Sequence, residues 1–116
     1  MTANLYTEVP LVSFVAGSTA IIDTPILDQN GAALNLDGAT LAYHIFRPSD
    51  HVFLLTHTLG AGIVLVGAAS AGVCRNTIAS TETGLTTIPP GHYKHELWVT
   101  KSSVAWPVFR GPLDLE

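Results

Sequence analysis

Runs of five to ten β-branched and aromatic residues recur along the chain, each closed by Gly, Pro, Asn or Asp, and no segment keeps a helical apolar period for three turns. This pattern predicts strands at about Leu11–Ala16, Thr19–Leu27, Thr40–Arg47, His51–His57, Gly62–Val66, Gly72–Ala79, His92–Lys101 and Ala105–Leu113. Between them, "DQNG" places Asn30 and Gly31 where a tight turn needs positive φ, and Pro48, Ser49 and Asp50 separate two apolar runs. Pro25 and Pro107 fall inside strand-like runs and mark edge strands or bulges, because proline cannot donate to a ladder. The stretch "ASTETGLTTIPPG" is the one place for a short helical turn, with Ser80 as N-cap and Glu82 in the first turn. The expectation is an all-β chain of about eight antiparallel strands, folded as one sandwich or barrel.

Alternation along His92–Thr100 puts Tyr93, His95, Leu97 and Val99 on a core face and His92, Lys94, Glu96, Trp98 and Thr100 on the other. His92 and His95 then point to opposite sides, so their spacing cannot share a metal as it would on a helix. Trp98 is a large apolar ring among polar neighbours, and Trp106 adjoins Pro107 on an expected edge strand. Both are candidate interface anchors, expected to be partly exposed in an isolated subunit. Tyr93, after "PPG", fits the corner device in which a tyrosine bonds back to the backbone. Gly91 is expected to hold the turn through its permissive φ. In Thr40–Arg47, Leu41 and Ile45 occupy one face while Ala42 and Phe46 occupy the other, with a similar doubling across His51–His57. A sheet apolar on both sides in so small a domain needs a partner.

Composition sharpens this picture. The 116 residues fit one domain able to bury its own core. Only 12% are charged, against about 25% in ordinary soluble domains, and the mean hydropathy is +0.38. Part of the surface is therefore expected to be covered by other subunits. A net charge of −4 without any basic cluster excludes phosphate-backbone recognition, so no nucleic acid is expected. The uncharged run "LGAGIVLVGAASAGVC" is broken by glycines and short of the ~20 apolar residues a bilayer helix needs, so no membrane span is expected. The N-terminus lacks basic residues ahead of its apolar run, which argues against a secretory signal, so synthesis in the cytoplasm is expected.

No chemistry-bearing constellation emerges. The single cysteine, Cys74, lies in a strand-like run without the helix N-terminus that activates a thiol, so it reads as inert and buried. The acidic residues Asp23, Asp28, Asp37 and Glu82 are scattered, and phosphate loops, GxSxG and HExxH motifs are absent. The chain is expected to be no enzyme and to carry no cofactor or metal. A Cys74 hydrolase and a carbohydrate-binding module using Trp98, Trp106 and Tyr93 are the competing readings.

Three stretches carry a resemblance: "STAIIDTPILDQNGAALNLDGATLAYHIFRP", "AGVCRNTIASTETGLTTIPPGHYKHELWVT" and the closing "VFRGPLDLE". Their order resembles small virion proteins of tailed bacteriophages. Asp28 and Gly31 match a D-x-x-G hairpin, Leu34, Leu36, Gly38, Ala39 and Thr40 match "L-x-L-x-G-A-T", Gly91 and Tyr93 match the corner, and Gly111, Leu113 and Leu115 match the ending. The resemblance covers about residues 18 to 115 and implies an immunoglobulin-like β-sandwich, similar to the N-terminal domain of baseplate upper proteins and to short tail or head accessory proteins. No fibre or helix like the one that follows this domain in baseplate upper proteins is expected within these 116 residues. It further implies a structural subunit of a virion, made in the bacterial cytoplasm. Its partners would be copies of itself and other virion proteins of the tail or baseplate, or alternatively of the head or connector.

Residues 1–17, ahead of most of this region, form an expected N-terminal arm or edge strand on the 18–116 domain. Tyr6, Leu11 and Phe14 are its expected contacts with a neighbouring subunit.

Overall fold

The computed structural model describes residues 7–8, 12–28 and 30–116. Tyr6 and Leu11 lie outside the described residues. The chain is all-β, with strands β1 (Thr7–Glu8), β2 (Val12–Phe14), β3 (Ala20–Pro25), β4 (Thr40–Phe46), β5 (Phe53–Leu59), β6 (Gly62–Leu65), β7 (Val73–Ile78), β8 (Gly91–Lys101) and β9 (Val104–Leu115). One sheet runs in the order β1-β9-β8-β4-β5-β6-β7-β3, with β2 also pairing β9, and it bends nearly into a closed barrel. Among the described residues, no helix is long and apolar enough to cross a membrane.

The sheet is mixed, which corrects the expectation of antiparallel strands throughout. β1 and β2 pair with β9 in parallel, and β5 meets β6 in parallel at Thr58–Gly62 and Leu59–Ile63. The parallel start follows from chain order: the first strands lie along the last, closing the sheet edge with backbone bonds such as Ala16 N–H to Glu116 O at 3.0 Å. These arm strands therefore add to their own subunit's sheet. Phe14, expected at an interface, is half-buried and packs against the core.

Two further expectations change. The stretch from Ser80 forms turns and no helix; among the described residues the one helical turn is a 3-10 piece at Ala69–Ala71, closed by Gly72 at φ 70°. Glu82 instead folds back, its amide donating to Ala79 O and its carboxylate accepting from Ala79 N–H. The second concerns bounds: β5 begins at Phe53 and not at His51, and Phe53 is 45% exposed.

The core face of β8 matches the alternation, with Tyr93, His95, Leu97 and Val99 buried. β9 shifts phase. Leu97 faces Phe109 but Trp98 faces Pro107, leaving Val108 as an extra residue in a β-bulge beside the proline. Before the bulge Trp106 points inward, and after it Phe109, Gly111, Leu113 and Leu115 do. Pro25 closes β3, the strand at one end of the sheet, where its missing N–H costs no ladder bond.

Candidate functional site

The outer face of β5, β4, β8 and β9 carries one of the five candidate interface residues, Trp98. Cross-strand register aligns Ala42, Thr58, Trp98 and Pro107 in one row, and His44, Thr56, Glu96 and Arg110 in the next. Trp98 thus lies between the small or flat side chains of Ala42 and Pro107 and is half-buried, with its indole N–H donating to Glu96 Oε2 at 2.9 Å. Glu96 is buried although it was expected on an open polar face, because Trp98 covers it and Arg110 Nε stands 3.5 Å from its Oε1. Further along, His44 stacks on Phe53 with ring centres 4.0 Å apart and planes 9° apart. The Arg110 guanidinium sits 5.4 Å from the centre of the Phe46 ring, which His51 covers from the loop. Burial holds the His44 imidazole below its ordinary pKa, partly offset by Glu96.

Trp106 corrects the expectation of a second exposed anchor. It is 8% exposed and belongs to the core, because the bulge turns it inward. The Tyr93 hydroxyl donates to Pro89 O at 2.6 Å, four residues upstream. Gly91 opens β8 outside the left-handed region, so its role is not the expected permissive φ. A Cβ there would stand 3.3 Å from the Tyr93 hydroxyl oxygen, so glycine leaves room for that ring. Cys74 is buried, and desolvation pushes its thiol up to about 11, which disfavours the nucleophilic thiolate. Among the described residues no group of three or more His, Cys, Asp or Glu is placed to hold a metal.

Two buried histidines stand on either side of Tyr43, with ring centres 6.0 Å (His57) and 5.6 Å (His95) from the tyrosine ring. Sequence alternation buried His95 but could not name its partner, and the His57 site was missed. His57 lies 2.6 Å from Asn76 Oδ1 through Nδ1 and 2.7 Å from Glu82 Oε2 through Nε2. Asn76 Nδ2 has no partner among the described residues. With the Asn76 amide turned over, Nδ2 donates to Nδ1 while His57 Nε2–H donates to Glu82, so both imidazole nitrogens are bonded.

His95 differs. Its Nδ1 is 2.9 Å from the Tyr43 hydroxyl, while its Nε2 is buried and has no partner among the described residues. The Tyr43 proton has no other acceptor among the side-chain bonds, so it goes to Nδ1 and the hydrogen of His95 sits on Nε2. Desolvation lowers the His95 pKa to about 4 and raises that of Tyr43 above its ordinary value, so both stay neutral near pH 7. The ring forms part of the wall of a cleft of about 350 Å³ between the two ends of the sheet, with Pro25 and Leu27 on one side and Val12, Val108 and Phe109 on the other. No family model and no curated protein matches this chain.

Proposed function

We propose that the protein is a non-enzymatic structural subunit of a tailed-phage particle, of the tail or baseplate, that docks through the outer face of β5, β4, β8 and β9. The observation that carries an assembly role is this face. Its centre combines Trp98, His44 and Phe53 with a paired Glu96, while Phe53 and Val52 stand 45% and 42% exposed. Half-exposed aromatic rings with satisfied polar atoms are the usual anchors of protein contacts. The phage assignment rests on the order of the turn and strand motifs. The immunoglobulin-like reading is supported by the strand order: β2 and β1 with β9, β8, β4 and β5 would form one layer, and β6, β7 and β3 the other. Only two residue pairs join the layers, where β5 meets β6.

A carbohydrate-binding role has less support, because two of the three rings it would use, Trp106 and Tyr93, are buried. Size-exclusion chromatography with light scattering tests the assembly role. The expected result is a species larger than the 12.3 kDa monomer, weakened by ~2 kcal/mol in Trp98→Ala with little change in melting temperature. A strictly monomeric protein that binds no other virion protein would overturn it. Neighbouring reading frames that encode no portal, capsid or tail protein would remove the phage assignment while leaving an assembly role standing.

A further inference from the structure

The sheet ends on one side at β3, and among the described residues β3 pairs with β7 alone. Two main-chain bonds fix the phase of that pairing: Ile26 N–H donates to Gly72 O at 2.7 Å, and Val66 N–H donates to Val73 O at 2.9 Å. Residues of β7 therefore alternate, Cys74 and Asn76 bonding to β3 while Val73 and Arg75 bond to β6. On β3 the main-chain groups of Ile22 and Thr24 turn to β7, and those of Ile21, Asp23 and Pro25 turn to the open edge. Pro25, which has no N–H, falls in the outward phase and ends the row. The cleft of about 350 Å³ is lined by Asp23, Thr24 and Pro25, whose side chains leave opposite faces of the strand, so the space beside this edge is open. Natural edges are commonly blunted by charge. β3 instead carries Ile21, 60% exposed, and its one carboxylate, Asp23, is neutralised by Arg75 at 2.8 and 3.0 Å.

We propose that this edge pairs antiparallel with the same edge of a second copy, Ile21 opposite Ile21 about a two-fold axis, joining the two sheets into one. Main-chain donors and acceptors open at alternate residues are matched by another extended strand, and a two-fold contact gives each copy the same partner. Charge admits a second copy and selects the register. Each edge is neutral, because Asp23 is paired within its own chain. With Ile21 at the axis, Asp23 faces Thr19 of the other copy, and the two Asp23 residues stand roughly 14 Å apart, beyond the screening length of about 8 Å. Centred on Asp23, the pairing would bring the two carboxylate residues to about 5.5 Å, and centred on Ile22 it would set each Ile21 against a carboxylate. Only the Ile21 register covers apolar surface with apolar surface. So short a contact buries less than a standard interface, which makes the dimer weak and its population dependent on concentration. None of its residues belongs to the outer face of β5, β4, β8 and β9, so it does not rest on the role proposed for that face.

Amide hydrogen exchange of the whole protein, followed residue by residue at micromolar and at millimolar concentration, tests this. Protection at Ile21 and Asp23 is expected to rise about fivefold or more with concentration, while Ile22 and Thr24, already bonded to β7, stay unchanged. Ile21→Lys and Ile21→Glu, both at an exposed position, should fold normally and each lose that gain. Mixed in equal amounts they should regain it, because Lys and Glu then face each other across the axis. Trp98→Ala should keep the gain, so failure of the outer-face contact and failure of this one are read separately. Fast exchange at Ile21 and Asp23 at every concentration would overturn the proposal. Protection independent of concentration would also overturn it, by placing another part of the same chain on the edge. Retention of the gain in Ile21→Lys, or no recovery in the mixture, would remove the Ile21 register and the proposal with it.

Discussion

On either side of Tyr43 the same side chain meets two different fates. His57 is sealed. Asn76 and Glu82 hold both of its nitrogens, and Gly62 passes so close over the ring that a Cβ would fall 2.4 Å from His57 Cγ. His95 is bonded on the Tyr43 side alone, and its Nε2 is buried with no partner among the described residues. Burial is nearly equal, at 4% and 1% exposure, so burial does not distinguish a histidine bonded at both nitrogens from one bonded at a single nitrogen. What separates them is the count of partners. A buried imidazole bonded at both nitrogens gains rigidity, whereas one with an unpartnered nitrogen costs stability.

The strongest way to break the sealed side is Gly62→Ala. Gly62 sits at φ 101°, and the added methyl would collide with a ring that is anchored at both ends and cannot swing away. A loss of about 2–4 kcal/mol is expected in chemical denaturation. A loss below about 0.5 kcal/mol would show that His57 moves freely and is not sealed.

Acid should expose the other side. Folded His95 takes a proton only near pH 4, whereas an unfolded histidine does so near 6.5. Between those values the unfolded chain binds more protons, so stability should rise with pH and be lost as pH falls from about 6.5 toward 4. The full effect is on the order of 3 kcal/mol. His44, lowered by burial, works in the same direction, while exposed His92, raised by Asp114, works in the opposite one. Asp23 and Asp50, held low by arginines, titrate below this window. Denaturation midpoints measured from pH 7 to pH 4 should slope less in His95→Leu; an unchanged slope would assign the acid sensitivity elsewhere.

The smallest effect is a rescue. His95→Leu strands the buried Tyr43 hydroxyl and should cost about 1–2 kcal/mol, and adding Tyr43→Phe should recover about 1 kcal/mol by removing both partners together. A double variant less stable than the single one would mean that the pair is held by more than its mutual bond.

Much of the strand layout was legible in the sequence because alternation and turn residues are local. β-Branched runs punctuated by Gly and Pro require only neighbouring residues, and the core face of β8 from Tyr93 to Val99 follows from a period of two. Prolines could be read in the same way, Pro25 ending a strand at the sheet's margin and Pro107 adjoining a bulge. Candidate sites were less legible. The direction of Trp106 depends on whether Val108 is accommodated as an extra residue, and that is set by how β9 registers on β8. A one-residue slip reverses every side chain beyond it, so an exposed anchor on paper becomes a core ring in space. The His57 site joins residues 19 and 25 positions away, and His95 reaches Tyr43 across 52. No local pattern specifies such pairs. The fate of each histidine is tertiary for the same reason: what a buried nitrogen meets is decided by where the sheet bends, which strands lie beside it and where the sheet's two ends fail to join.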